Sequence, residues 1–370
     1  MVGALVHEWL SPHGGSENVF EALIDLYPDA ARFCLWDDSA GRFSGVRETA
    51  LAHTPLRSRK AAALPFMPTA WRRLPALDAD WVLCSSHLFA HHARFAGPAR
   101  DARKLVYAHT PARYIWTPEL DGRGGGVLAR TASSALKALD RRRAQEPVAI
   151  AANSAFIAQR IADTWERDAT VIHPPVDVSA YAAAPPSPTR EEDTVLATVP
   201  DEFLLGVSRF VPYKRLERVI EAGAATGLPV VLAGSGPDEA RLRACADDLG
   251  ARVTFVLEPS SSLLAHLYRR ALALVFPAIE DFGIMPVEAM AAGTPVVASA
   301  VGGTAETVVD GVTGALVHEW SQAEVRDAVG RAVRAASESC VARAYEFDAP
   351  VFAARLSAWV ARTVGADVTR

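Results

Sequence analysis

Two carboxylates flank a predicted helix start in the run Glu280-Asp281-Phe282-Gly283-Ile284-Met285-Pro286-Val287-Glu288. Pro286 is typical of a first helical turn, so the backbone N–H groups of residues 283–285 should point outward without a partner. Such groups, at the positive end of a helix, form an anion site that suits a diphosphate. Glu280 and Glu288 can accept paired hydrogen bonds from the hydroxyls of a ribose or sugar ring. The alternative is that Glu288 only stabilises the helix dipole and Glu280 is a surface acid.

Two cations lie in a second loop, Gly206-Val207-Ser208-Arg209-Phe210-Val211-Pro212-Tyr213-Lys214. A strand is predicted to end at Val207, and a helix to begin soon after Lys214. Ligands of open α/β sheets bind at the carboxyl ends of the strands, where Arg209 and Lys214 are placed to neutralise a leaving diphosphate. The alternative is that Lys214 simply starts an amphipathic helix.

Glycine-rich turns follow several predicted strands. They are Gly234-Ser235-Gly236, Gly302-Gly303 and His13-Gly14-Gly15. Glycine allows the backbone to approach a ligand closely, and several such turns at strand ends are stronger evidence than one. The third turn lacks the full GxGxxG spacing, but it opens the first helix, where nucleotide folds place phosphates.

Polar and aromatic residues are crowded into the run His109-Thr110-Pro111-Ala112-Arg113-Tyr114-Ile115-Trp116, directly after a predicted strand. Aromatic faces can stack on sugar C–H groups, and His109 can donate to a hydroxyl, so the run suits one wall of a sugar site. A structural histidine and ordinary core aromatics are the alternatives. We favour function because turn residues bound the run and it lacks a helical period.

The elements that must position these loops alternate along the chain. Short apolar runs predict buried strands at Val2–Val6, Trp81–Cys84, Lys104–Tyr107, Val148–Ala152, Val171–His173, Phe203–Val207, Val230–Ala233, Val253–Val256, Ala273–Phe276 and Pro295–Ala298. Amphipathic segments predict helices at Glu17–Leu26, Arg215–Thr226, Asp238–Leu249 and Ser262–Ala271. Such alternation predicts parallel sheets covered by helices on both faces, and 370 residues fit two doubly wound domains.

Domain boundaries follow from composition. Prolines and a charged run predict a linker at 182–200, between an N-terminal domain (1–181) and a C-terminal domain (201–343). The segment 344–370 contains apolar residues at helical spacing from Phe347 to Thr363, so it predicts a final helix with a surface to cover.

Composition excludes several classes of protein. The net charge of −5 gives no footprint for nucleic acid, and four scattered cysteines without metal-ligand spacing predict buried thiols in a reducing cytosol. No signal peptide or membrane-spanning run is evident, so we expect a cytoplasmic protein or one peripheral at the inner face of the membrane.

The stretch 53–75 is the exception to the acidic balance. It contains five basic and no acidic residues up to Arg73, interleaved with large apolar groups such as Phe66 and Trp71. Such a mixture suits an anionic membrane surface or a lipid-phosphate substrate, and it suits an ordinary solvated face equally well.

Together these residues resemble the retaining glycosyltransferases of the GT-B fold, in the group 1 family (family 4). The resemblance runs from His7-Glu8-Trp9-Leu10 to Gly311-Val312-Thr313-Gly314, and its signature is Glu280 and Glu288, with Arg209 and Lys214 upstream. Within the family, the chain is similar to bacterial mannosyltransferases that build lipid-linked oligosaccharides. Cys84-Ser85-Ser86-His87, His109–Trp116, Ala152-Asn153-Ser154 and Ile172–Asp177 carry that similarity.

The resemblance implies two Rossmann-like domains that face across a cleft, and a last helix that crosses back to the N-terminal domain. It implies a donor on Arg209, Lys214, Gly234 and the 280–285 run, with Glu288 on the ribose and Glu280 on the sugar. His109 would lie against the sugar ring, Gly14 and Gly15 near the phosphates, and His13, Arg113, Tyr114 and Trp116 on the acceptor side. The reaction would be a retaining, front-face transfer without a metal or other cofactor, and the DxD-like Asp78-Ala79-Asp80 is a coincidence.

The resemblance favours mannose from GDP-mannose and a glycan or lipid-linked glycan as acceptor. Some residues depart from the family pattern: His7-Glu8, Glu17-Asn18, and Leu257-Glu258-Pro259 near the expected base site. The alternatives are a UDP-sugar donor with a soluble acceptor, a non-catalytic nucleotide-sugar-binding protein, and an epimerase that acts on a UDP-sugar.

Overall fold

The computed structural model describes residues 2–117 and 127–365. They form two compact units: a first unit of residues 1–175 with 350–370, and a second unit of residues 176–349. Each unit contains one parallel sheet with helices around it.

The first unit is built on seven parallel strands in the order β3-β2-β1-β4-β5-β6-β7. The strands are β1 (Gly3–His7), β2 (Ala31–Cys34), β3 (Val46–Glu48), β4 (Trp81–Ser86), β5 (Arg103–Ala108), β6 (Ala149–Ala152) and β7 (Thr170–Val171). The helices are α1 (Gly15–Leu26), α2 (Lys60–Ala63), α3 (Met67–Trp71), α4 (Arg113–Trp116), α5 (Val127–Arg143) and α6 (Ala155–Trp165). The strand order reverses between β1 and β4, and this is where open α/β sheets bind ligands.

The second unit has six parallel strands in the order β10-β9-β8-β11-β12-β13. They are β8 (Leu204–Val207), β9 (Val230–Gly234), β10 (Val253–Leu257), β11 (Ala273–Phe276), β12 (Val296–Ser299) and β13 (Gly314–Val317). Its helices are α7 (Val178–Ala182), α8 (Arg190–Leu196), α9 (Glu217–Thr226), α10 (Glu239–Leu249), α11 (Ser261–Arg270), α12 (Ile284–Ala291), α13 (Thr304–Thr307), α14 (Gln322–Ala332) and α15 (Ser337–Ala344). Here the order reverses between β8 and β11.

The last helix, α16 (Ala349–Val364), covers one face of the first sheet. Its buried stripe of Phe352, Leu356 and Trp359 packs in one cluster with Leu5 of β1 and Tyr107 of β5. The Phe352 ring meets the Tyr107 ring edge-on at 5.7 Å between centroids. The first unit therefore takes its hydrophobic core from both ends of the chain.

Two sequence-based expectations need revision. The stretch 182–200 was predicted as a linker, but it contains α8, whose charged residues form a first turn capped by Thr189 in a capping box with Glu192. The sequence prediction also lacks β2, β3 and β13, and the unit boundaries fall at Pro175 and Ala349. The predicted α/β fold of two doubly wound parallel sheets is confirmed.

Candidate functional site

Lys214 and Glu280 meet at the reversal point of the second sheet. Lys214 ends a short 3₁₀ helix (Pro212–Lys214) after β8, and Glu280 follows the neighbouring strand β11. The Lys214 ammonium donates directly to Glu280 Oε1, and both side chains are largely buried. The structure thus places a cation and a carboxylate in contact at the carboxyl edge of the sheet, where a phosphate and a hydroxyl could each be bound.

Arg209 lies in the same loop but is exposed. Its guanidinium donates to the Tyr213 hydroxyl at 2.9 Å. One N–H group of the Arg209 guanidinium is therefore bonded within the protein. The guanidinium has further N–H groups, which are of the kind that bind phosphate.

The N-terminus of α12 lies beside Glu280. Gly283 is its N-cap, with φ at 92°, and Pro286 lies in the first turn. Within the described residues, no acceptor receives the N–H groups of Gly283, Ile284 and Met285. These amides remain available to an anion.

The glycines of the two C-terminal turns serve a purpose that the sequence did not suggest. A Cβ on Gly303 would lie 2.2 Å from the carbonyl oxygen of Asp281, and one on Gly234 would lie 1.9 Å from that of Ser208. These glycines bring neighbouring loops of the protein together. Their observed close approach is to backbone, and at Gly234 that backbone is Ser208, the residue before Arg209.

Glu288 projects from α12 into a half-buried position against tyrosines. The Tyr268 hydroxyl donates to Glu288 Oε2 at 3.2 Å. Burial raises the pKa of Glu288 to about 7, although hydrogen bonds from Tyr268 and Tyr181 act in the opposite direction. Near neutral pH this carboxyl is therefore poised between its two protonation states.

The side chains of Asp281 and Phe282 lie in different environments. Asp281 is half-buried in the loop, whereas the Phe282 side chain is buried in the hydrophobic core of the second unit, 5.5 Å from Phe347. The donor-site prediction for Phe282 can apply only to its backbone.

In the first unit, His13, Gly14 and Gly15 are exposed at the start of α1. The buried Glu17 carboxylate lies against Gly14 and accepts from the Ser11 N–H at 3.2 Å and the Ser16 hydroxyl at 2.8 Å. A protein carboxylate thus already lies beside the helix start, and this disfavours a second anion there.

His109 follows β5 and is buried in a chain of polar side chains. Its Nε2 lies 2.8 Å from Ser85 Oγ, which in turn lies 3.0 Å from His7 Nδ1. Burial lowers the pKa of His109 to about 3, so the ring is neutral at neutral pH. The sequence offered no signal for these partners, because Ser85 and His7 become neighbours of His109 only through the sheet register.

The run after His109 divides between surface and core. Residues 113–116 form the short helix α4, although the sequence predicted no helical period in this run. Tyr114 is exposed and Arg113 half-buried. The Trp116 indole N–H, however, donates to the buried Asp140 at 2.7 Å, which anchors Trp116 to the core.

The sequence did not predict a buried cluster of polar side chains around Asp140. Asp140 Oδ2 accepts from the indoles of Trp116 and Trp165, and Oδ1 accepts from His92 Nε2 at 3.0 Å, with His91 Nε2 at 3.1 Å. These histidines and Asp140 have the residue types of a metal site. Because N–H donors occupy both carboxylate oxygens, we interpret the cluster as a satisfied buried carboxylate.

Much of the basic stretch 53–75 is paired within the first unit. Arg57 bonds to Asp38, Arg72 to Glu146, and Lys60 lies 4.3 Å from the Trp9 ring centroid. Trp71 is fully buried. Phe66 is exposed, as are Arg59 and Arg73 in the same stretch. No helix within the described part of the chain is both long and apolar enough to span a bilayer.

Comparison with known families gives two matches that lie side by side along the chain. Residues 14–180 match the family described as "Glycosyltransferase Family 4", and residues 190–345 match "Glycosyl transferases group 1". The D-inositol 3-phosphate glycosyltransferase of Mycobacterium tuberculosis (strain ATCC 25618 / H37Rv) is 38% identical over 175 residues, which cover 44% of this chain and 36% of the relative. The match spans only about a third of the length of the curated relatives.

Solved structures resemble the fold over nearly its whole length. Anabaena Alr3699/HepE in complex with UDP and glucose has a TM-score of 0.68 at 18% identity, and the match covers 96% of this chain and 99% of that one. Sucrose-phosphate synthase from Thermosynechococcus elongatus has a TM-score of 0.70 at 17% identity, and the match covers 98% of this chain and 100% of the synthase chain. At these identities the likeness establishes the fold alone.

Proposed function

We propose that the chain is a group 1 glycosyltransferase and that it transfers a sugar from a nucleotide-diphosphate sugar to a hydroxyl acceptor. The observation that carries the proposal is the contact of Lys214 with Glu280 beside the open amides of α12. The cation and the helix N-terminus suit the negatively charged phosphates of such a donor. The carboxylate at the same sheet edge suits its hydroxyls.

In the proposed mechanism, breaking the anomeric bond creates negative charge on the diphosphate. This charge would be stabilised by Arg209, Lys214 and the amides of residues 283–285. In many enzymes such electrostatic stabilisation is the largest single contribution to the rate enhancement. Glu280 would hold hydroxyls of the sugar, and Glu288 the ribose. We propose that transfer occurs on the front face with retention, that the leaving phosphate takes the acceptor proton, and that no metal is needed.

His109 is proposed to bind the sugar ring from the first unit. The neutral imidazole can donate one hydrogen bond without adding positive charge next to a sugar that itself becomes cationic. Arg113 and Tyr114 are proposed to contact the acceptor, whereas Trp116 supports them through Asp140.

For the donor we propose GDP-mannose, with a glycan or lipid-linked glycan as acceptor. A UDP-sugar is the second candidate, because the Anabaena neighbour is a complex with UDP and glucose. Glu258, at the end of β10, is left-handed with φ at 48° and accepts from Ser235 at 3.4 Å. It differs from the glycine turn of the family pattern, so the base must be decided by experiment.

The first test is a thermal-shift screen of the full chain against GDP-mannose, UDP-glucose and UDP-GlcNAc. A ligand at about 100 times its dissociation constant should stabilise the protein by roughly 2.7 kcal/mol. Active donors are then incubated with candidate acceptors, among them D-inositol 3-phosphate. Donor turnover without an acceptor would favour an epimerase, and tight binding without turnover would favour a binding protein.

Lys214→Ala and Glu280→Ala should each lower transfer by orders of magnitude while the fold persists, because each removes a proposed donor contact. Glu217→Ala is the matched control, since it breaks the ion pair with Arg241 on the outer helices of the same unit. Near-normal transfer in either site variant would contradict the assignment.

Peripheral membrane contact through residues 53–75 is a separate proposal, supported by Phe66 exposed between Arg59 and Arg73. Sedimentation with anionic vesicles should recover the wild-type chain, and Phe66→Ser should reduce the bound fraction severalfold. Neutral vesicles serve as the control. Equal recovery of both proteins would favour an ordinary solvated face.

A further inference from the structure

We propose that Ser85 and His7 are positioning residues that hold His109 in the tautomer with its proton on Nδ1. The inference rests on the proposed function only for what His109 does with that proton. The tautomer itself is a property of the ligand-free chain.

The three side chains form an unbranched hydrogen-bonded chain across adjacent strands. His7 ends β1, Ser85 is paired with it in β4, and His109 follows β5. Ser85 Oγ is 3.0 Å from His7 Nδ1 and 2.8 Å from His109 Nε2. His7 and Ser85 are fully buried, and the His109 backbone N–H donates to the Ser86 carbonyl at 2.8 Å.

A serine hydroxyl has a single proton, so it can donate to only one of the two rings. Accepting from both would leave the buried Ser85 O–H without an acceptor among these partners, so Ser85 donates to one ring and accepts from the other. In one arrangement Ser85 donates to His109 Nε2 and accepts from His7 Nδ1–H. His109 then carries its proton on Nδ1. In the reverse arrangement Ser85 donates to His7, so His7 carries its proton on Nε2 and His109 does likewise.

The environment of His7 decides between the two. His7 Nε2 is buried, and no group in the described part of the chain bonds to it. The reverse arrangement would place an N–H donor there without an acceptor, and orphaned buried N–H groups are rare and costly. The first arrangement leaves only a bare ring nitrogen at that position, so it is favoured.

Neither histidine ring is doubly protonated at neutral pH, so both must adopt one of the two neutral tautomers. Burial, followed by the nearby His87 and His109, lowers the pKa of His7 well below its usual value, and burial lowers that of His109 to about 3. His109 is 9% exposed, and Nδ1 is the ring nitrogen that does not face Ser85. The chain therefore presents a neutral N–H donor at the end of β5, suited to an oxygen of a bound sugar.

The test is ¹⁵N NMR of the full chain labelled at histidine, with His109 assigned by its absence in His109→Gln. Wild type should show Nδ1 protonated and Nε2 bare. Ser85→Ala should give a mixture of tautomers, and Ser85→Thr, which keeps the hydroxyl, should restore the wild-type state. A wild-type ring protonated on Nε2 overturns the proposal without any variant.

Ser86→Ala is the matched control. Ser86 is the next residue of the same strand, but its hydroxyl contacts Glu8 and His91. It should leave the His109 tautomer unchanged, so a general loss of structure cannot imitate the effect. An unchanged tautomer in folded Ser85→Ala also overturns the proposal.

With an active donor, Ser85→Ala should lower kcat about tenfold, the effect of one lost hydrogen bond made in the transition state. The donor KM should change little. If the proposed function is wrong, wild type itself shows no transfer, and the tautomer measurement still decides the present inference.

Discussion

Glu288 illustrates how one side chain can be tuned by its partners. Two tyrosine hydroxyls hold a carboxylate that burial would otherwise keep protonated. Burial also raises the pKa of Tyr268 well above its usual value, so this hydroxyl remains a donor throughout the working range. The balance leaves Glu288 ionised, and so a strong hydrogen-bond acceptor, in only part of the molecules at pH 7.

Tyr268→Phe should therefore weaken nucleotide binding. Without the hydroxyl the pKa of Glu288 rises above about 7, so fewer molecules carry the carboxylate at neutral pH. We expect a severalfold larger Kd for the nucleotide at pH 7 and a smaller difference at pH 8.5, measured by calorimetry. A loss that does not depend on pH would argue against this role for Glu288.

At this scale the sequence predicted residue types better than contacts. Lys214 and Glu280 were expected at one sheet edge because each follows a strand, and they do touch. The partner of His109 was not expected, since Ser85 lies 24 residues away and is brought close only by strand pairing. Single-sequence reasoning sees turns and periods, whereas such a contact depends on register.

Among the elements, the turn Gly302-Gly303 has the most direct bearing on the site. The Gly303 N–H donates to the Glu280 carbonyl at 2.8 Å, and its Cα faces the carbonyl of Asp281. The turn after β12 therefore supports the loop that carries Glu280. Glycine is needed because any side chain would displace backbone.

Gly303→Ala should impair donor binding although it touches no proposed ligand atom. The new Cβ would lie 2.2 Å from the Asp281 oxygen, so the 280–282 loop must shift. We expect at least a tenfold rise in donor Kd with a modest loss in Tm. Gly330→Ala in α14 is a control at a glycine of ordinary φ, where the nearest neighbour of the new Cβ would be the Arg334 guanidinium at 3.9 Å. Unchanged affinity in Gly303→Ala would show that the loop tolerates displacement.

Three of the elements that the sequence missed, β2, β3 and α8, are short and mixed in polarity. β2 and β3 contain Arg32 and Arg47 among their few residues, so neither reads as an apolar run. α8 was hidden because acids of its first turn resemble a charged linker until the Thr189 cap is noticed. Uniformly apolar strands such as β11 were predicted at their observed bounds.

Across the whole molecule, buried histidines are concentrated in the first unit. The pKa values of His7, His87, His92 and His109 are all lowered, chiefly by burial. A histidine whose folded pKa is depressed has no proton-linked effect on stability above its unfolded pKa of about 6.5, and it lowers the free energy of unfolding increasingly as pH falls toward 3. The carboxyls with raised pKa values, Glu8 and Glu288, lie one in each unit. Their effects on stability therefore offset one another when the acid sensitivity of the two units is compared.

Mild acid should therefore open the first unit before the second. At pH 5 each of these histidines can cost up to about 2 kcal/mol. Hydrogen exchange at pH 7 and pH 5, corrected for intrinsic rates, should show protection lost in β4 and β5 and retained in β8 and β11. His87→Phe should recover part of the loss. Equal loss in both units would contradict the expectation.

The position of α16 in the chain has a consequence for biosynthesis. The first 175 residues leave the ribosome with one face of their sheet still lacking Phe352, Leu356 and Trp359. Translation of the entire second unit intervenes before that face can be covered. A nascent chain stalled near residue 340 should thus expose a patch that chaperones recognise, and the last helix would act as the closing step of vectorial folding.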